Sequence, residues 1–109
     1  MDEKGSGGFS GRVGKGSSRI LMCVDEGLAS FGKEIPMTAR FYLESRYQIV
    51  PEVIVHDPKR FVQGLRELFG IGSKLVEEII AKSICKKYGL KENKDLVQVI
   101  HEANHVDSW

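Results

Sequence analysis

Residues His101-Glu102-Ala103-Asn104-His105 carry the sharpest chemical pattern in the chain. On a helix, imidazoles four positions apart share one face and can chelate zinc, while the intervening Glu activates a bound water. The setting is poor for hydrolysis. Four residues follow His105, so Asp107 is the one downstream candidate for a third ligand, and it stands where an apolar residue usually sits. His56 is the only other imidazole, and no strand edge is expected that could hold a peptide substrate. His101 and His105 therefore read as solvent-edge histidines near a helix C-terminus, where the dipole favours imidazolium. They stay weak metal candidates. No catalytic residue and no cofactor is assigned.

A second set of residues has chemistry of another kind. Gly70-Ile71-Gly72-Ser73-Lys74 joins two apolar helical patterns. Two glycines one residue apart let the backbone turn sharply, at angles a Cβ would forbid. Gly72 is expected to need such an angle. Ile71 should point back between the helices, and Ser73 or Gly72 should cap the second of them. The turn is either a tight corner or an anion site, its free N–H groups holding a phosphate. In the second case Gly70, Gly72, Ser73 and Lys74 form the contact, and Lys82 and Lys86 add charge further along.

The remaining candidates are weaker. Cys23 and Cys85 lie far apart, each inside an apolar helical pattern, and read as buried, reduced thiols. Gly14-Lys15-Gly16-Ser17 invites comparison with a phosphate-binding loop. Phe9 stands where that loop has its first glycine, Gly16 stands where it has the Mg²⁺-binding hydroxyl, and no strand precedes it. Nucleotide binding is set aside. Glu77 and Glu78 are adjacent and face different directions on a helix, so they make no acid–base pair.

The elements that position these residues are helical. A chain of 109 residues with a net charge of +1 suits one domain with a modest core. Residues 5–18 hold six glycines and little to bury, so residues 1–17 read as a flexible Gly/Ser-rich tail. The domain then spans 18–109. Ile20, Leu21, Val24, Leu28 and Phe31 mark a first helix capped by Ser17 or Ser18 and ended by Gly32. Pro36 opens a second through Tyr47, with Phe41, Tyr42 and Leu43. Ile49 to Val55 is short, contains Pro51 and has no partner strand, so it reads as a turn or single helical turn on the core. Asp57-Pro58 begins a third helix as cap and first-turn proline, its buried face being Phe61, Val62, Leu65, Leu68 and Phe69. A fourth runs from Ser73 to Tyr88, with Leu75, Val76, Ile79, Ile80, Ile84 and Tyr88 inward, and stops at Gly89. A fifth covers Lys94 to His105. The expected fold is an all-α compact bundle of about five helices. No run is long and apolar enough for a membrane span, and no secretory signal is visible. The expected setting is the cytoplasm.

Charge is uneven. Residues 58–94 carry nine Lys or Arg against four Glu, a net of +5, whereas residues 95–109 carry three acids and no Lys or Arg. The helix pair around the glycine turn is the basic part. Much of that charge is the ordinary solvated face of two amphipathic helices, with Glu78 one turn before Lys82 as a stabilising pair.

Two resemblances follow. Leu65-x-x-Leu68-Phe69-Gly70-Ile71-Gly72-Ser73-Lys74-Leu75-Val76 resembles the helix-hairpin-helix motif of sequence-neutral DNA binders. That motif implies phosphate binding through the turn N–H groups and Lys74. Phe69 departs from the small residue or proline usual there. The longer resemblance joins Tyr42-Leu43-Glu44-x-Arg46-Tyr47, Asp57-Pro58-x-x-Phe61, Leu68-Phe69-Gly70-x-Gly72, Leu75-x-Glu77 and Lys87-Tyr88-Gly89-Leu90. Over residues 40–90 it looks like the small archaeal output domain named for Nitrosopumilus, with Gln48 in place of that pattern's glycine. It implies an all-helical, non-enzymatic signalling or interaction module. Such a module works through a protein partner or self-association. We rank this reading first and nucleic-acid binding through the hairpin second. Zinc-dependent hydrolysis is a minor third, and membrane association is not expected.

Overall fold

The computed structural model describes residues 15–108. Its order is α1 (Lys15–Ala29), α2 (Ile35–Tyr47), α3 (Pro51–His56), α4 (Pro58–Phe69), a 3₁₀ turn (Gly70–Gly72), α5 (Ser73–Tyr88) and α6 (Leu96–Asp107). Five longer helices and the short α3 make an all-α bundle, with no strand among the described residues. None of these helices is long and apolar enough to cross a membrane. The expected tail lies outside the described residues except for 15–17. These form the first turn of α1, so the helix begins before the expected cap at Ser17 or Ser18.

Helix α5 is the centre of the bundle and packs against α1, α4 and α6. Its buried stripe is Val76, Ile80 and Ile84, three residues at four-residue spacing. Gly27 sets the approach of α1. A Cβ there would lie 2.9 Å from the Ile80 Cα and 3.2 Å from its backbone nitrogen, so two helix backbones meet where only glycine fits. Phe61, Leu65, Leu43, Leu96 and Ile100 close the core from α4, α2 and α6, each essentially without solvent exposure. Burying such a side chain stabilises by about 1.5–3 kcal/mol.

The helix ends follow local chemistry. Pro51 and Pro58 sit in the first turns of α3 and α4, where a missing N–H costs nothing. Asp57 precedes α4, but its side chain makes no cap bond; its carbonyl accepts from the N–H groups of Arg60 and Phe61 instead. Asp95 caps α6, accepting from the Gln98 N–H at 2.9 Å, one residue beyond the start expected at Lys94. Gly89 ends α5 in the left-handed region at φ 70°. Gln48 ends α2 in the same region at φ 56°, the only non-glycine residue with positive φ among the described residues.

Two polar ties hold helices in register. Arg40 of α2 donates to both carboxylate oxygens of Asp25 on α1, at 2.9 and 3.1 Å. At the other end of the bundle, the Arg19 guanidinium lies 4.3 Å from the Tyr88 ring centroid and bonds Asp107 at 3.2 Å. The Tyr88 hydroxyl donates to the other oxygen of Asp107. That cluster joins α1, α5 and α6.

Candidate interaction surface

The glycine turn differs from expectation in two ways, both tied to which glycine bends. Gly70 takes φ 59°, ψ −128°, a region closed to side chains. Gly72 has φ −84°, ψ −2°, ordinary right-handed backbone, and so does not need to be glycine for its angles. With the bend at Gly70, Ile71 is thrown outward and is fully exposed, not tucked between the helices. Of the two cap candidates, Gly72 holds the cap position of α5; no side chain bonds there, and Ser73 is buried. Two backbone donors of the turn are used internally. The Gly70 N–H donates to the Arg66 carbonyl and the Ser73 N–H to the Gly70 carbonyl.

Lys74 stands beside this turn. Lys82 and Lys86 lie two and three turns further along α5, about 12 and 18 Å away at 1.5 Å per residue. The structure therefore gathers Gly70, Gly72, Ser73 and Lys74 at one end of the helix and leaves Lys82 and Lys86 outside any single-phosphate site. Beside the turn, Arg66 bonds Glu77 at 3.3 Å across the α4–α5 angle, which neutralises local charge.

The glycine turn and the outer face of α5 together present a continuous ridge to solvent. Ile71 and Leu75, the latter 55% exposed, form its apolar end. Exposed Glu78, half-buried Ile79 and exposed Lys82 and Lys86 continue it. Leu75 was expected inside. It lies beside the buried stripe of Val76, Ile80 and Ile84, not on it, because neighbouring helix positions point about 100° apart. A groove flanks the ridge on either side. On the α6 side a cleft of about 400 Å³ is lined by Lys74, Lys82 and Lys94 together with Glu77, Glu78, Glu92 and Asp95, a mixed set with four acids to three bases. On the α1 side the groove carries Lys82, Lys86 and Lys87, with Glu26 the one acid among the described residues that line it. That second groove was not singled out from sequence. Lys87 is a lysine among many there, and only the Gly27 contact brings Glu26 beside α5.

The His-Glu-x-x-His residues are on α6. His101 and His105 are exposed and flank one shallow groove with Leu90 and Val106. Glu102, which would activate water, is ion-paired with Lys94, and Asp107 is held by Arg19 and Tyr88. Among the described residues no three His, Cys, Asp or Glu side chains are placed to hold a metal ion. Cys23 and Cys85 are both buried and unbridged. Burial pushes both thiols above their usual range, helped by the nearby carboxylates of Glu26 and Glu92 respectively. Neither is prepared as a nucleophile.

Larger apolar side chains are also exposed on other helices. Met37 and Phe41 stand one turn apart on the outer face of α2, and Met22 is exposed on α1. Phe41 and Tyr42, on the second helix as the sequence suggested, pack edge to face on the surface, with ring centroids 5.4 Å apart.

Comparison with protein-family models, with curated proteins and with solved structures finds no match to this chain.

Proposed function

We propose that the chain is a non-enzymatic helical output or protein-interaction module of the kind the resemblance over residues 40–90 implies, working in the cytoplasm through the exposed ridge of α5. One observation carries this. The core is complete without Ile71 and Leu75, yet both stand in solvent, Ile71 in the turn that leads into α5, turned outward by the Gly70 bend, and Leu75 in the first turns of α5, the helix that organises the bundle. Exposed apolar side chains grouped on a rigid element favour a protein contact. Three helices, α2, α4 and α5, end at residues with positive φ, Gln48, Gly70 and Gly89, a geometry that favours glycine. Two buried, unbridged thiols suit a reducing compartment.

The second reading, sequence-neutral nucleic-acid binding, draws on Lys82, Lys86 and Lys87 in the α1–α5 groove. It is weakened at the hairpin, where the Gly70 and Ser73 N–H groups already have acceptors and Ile71 occupies the outer surface. A labelled DNA duplex titrated against the protein separates the two. The module reading predicts no complex near physiological salt. The hairpin reading predicts a complex that falls steeply between about 50 and 200 mM salt and is lost in Lys74→Glu.

A further inference from the structure

We infer that the ridge of α5 takes an acidic amphipathic helix from a partner protein, its apolar residues over Ile71 and Leu75 and its carboxylates against Lys82, Lys86 and Lys87. This rests on the interaction-module reading and names the chemistry of the partner.

Three observations combine. The ridge has a direction: Ile71 and Leu75 at one end, Lys82 and Lys86 at the other, with Lys87 in the adjoining groove. From Ile71 to Lys86 it runs about 23 Å at 1.5 Å per residue, the length of a short helix. The charge at the basic end is only partly balanced. Glu78 stands one turn before Lys82, and Glu26, which accepts from the Ser83 hydroxyl at 3.4 Å, is the one acid lining the α1-side groove. Among the described residues, none of the three lysines takes part in an ion pair; those pairs join other residues.

The same charges argue against a second copy on this surface. Two α5 ridges placed antiparallel about their midpoint set Leu75 against Lys82 and Ile71 against Lys86, desolvating an ammonium on an aliphatic side chain each time. Placed parallel, they set lysine against lysine. An acidic partner meets neither penalty, and apolar anchors with flanking carboxylates satisfy both ends at once.

The test uses helical peptides of about 18 residues, roughly 27 Å long, with leucines in one half of a stripe and glutamates in the other, made in both chain directions. Counterparts carry lysine for glutamate. Fluorescence anisotropy at low salt should show binding by a glutamate peptide, with its lysine counterpart at least tenfold weaker. Leu75→Asp should cost a similar factor. The double variant Lys82→Glu, Lys86→Glu should prefer the lysine peptide. These positions are exposed, and circular dichroism melts verify that each variant folds. Equal binding of glutamate and lysine peptides would overturn the acidic assignment while leaving the module reading standing. No binding by any peptide, with light scattering showing a dimer abolished by Leu75→Asp, would overturn it in favour of a second copy. Duplex DNA binding at physiological salt would overturn the module reading itself.

Discussion

Replacing Gly70 by alanine should destabilise the domain, whereas replacing Gly72, two positions on, should leave it as stable or more so. Neither position has an atom within 4 Å of an added Cβ, so the effect is torsional and not a matter of packing. At φ 59°, ψ −128°, alanine at position 70 pays about 1–3 kcal/mol for a backbone region meant for glycine. Loss of chain freedom in the unfolded state offsets about 0.4–1 kcal/mol of that. The net is a destabilisation of about 1–2 kcal/mol. At φ −84°, ψ −2°, Gly72→Ala incurs no torsional penalty and keeps the unfolded-state gain. For a domain of this size 1 kcal/mol is about 4–8 °C. Thermal melts by circular dichroism should therefore show Gly70→Ala lowered by several degrees and Gly72→Ala unchanged or raised. If Gly72→Ala melts lower than Gly70→Ala, the assignment of the bend to Gly70 is wrong, and with it the reason Ile71 faces solvent.

Gly27→Ala should destabilise by about 1–3 kcal/mol in a urea titration, because its Cβ would press on the Ile80 backbone, which cannot rotate away. Gln48→Gly should stabilise by about 0.5–1 kcal/mol by relieving the left-handed conformation at the end of α2; an unchanged melt would mean that Gln48 carries no strain. Tyr88 is held neutral above its usual value near 10, first by burial and then by its hydrogen bond to Asp107. In the unfolded chain it ionises first, so stability should be full below pH 10 and fall as pH rises beyond it. Tyr88→Phe should flatten that alkaline loss; a variant with the parent's slope would place the titrating group elsewhere.

Helical periodicity was enough to locate the helices, since stripes such as Val76-Ile80-Ile84 and Val99-Ala103 repeat with the helical turn. It was not enough to orient single residues at their margins. Leu75 is apolar and next to a buried position, but 100° of rotation puts it in water. Ile71 sits between two glycines, and its direction depends on which glycine takes the positive φ, which the residue types alone do not tell apart. Phe41 and Met37 are as apolar as core residues, so nothing in their type distinguishes them from Leu43. The chemistry of the His-Glu-x-x-His run was legible as a pattern. That Glu102 is paired with Lys94 and Asp107 with Arg19 and Tyr88 depends on contacts between α1, α5 and α6, and in the Arg19–Asp107 pair the partners lie 88 residues apart.

If the proposed function is right, partners meet the outer ridge of α5 and not the backbone of the glycine turn. Amide chemical shifts of labelled protein, followed near physiological salt during separate additions of the acidic helical peptide and of duplex DNA, test this residue by residue. The peptide should move Ile71, Leu75, Ile79, Lys82 and Lys86 together, while the duplex should move none of them. Shifts confined to Gly70, Gly72, Ser73 and Lys74 on adding duplex, with the ridge indifferent to peptide, would contradict it.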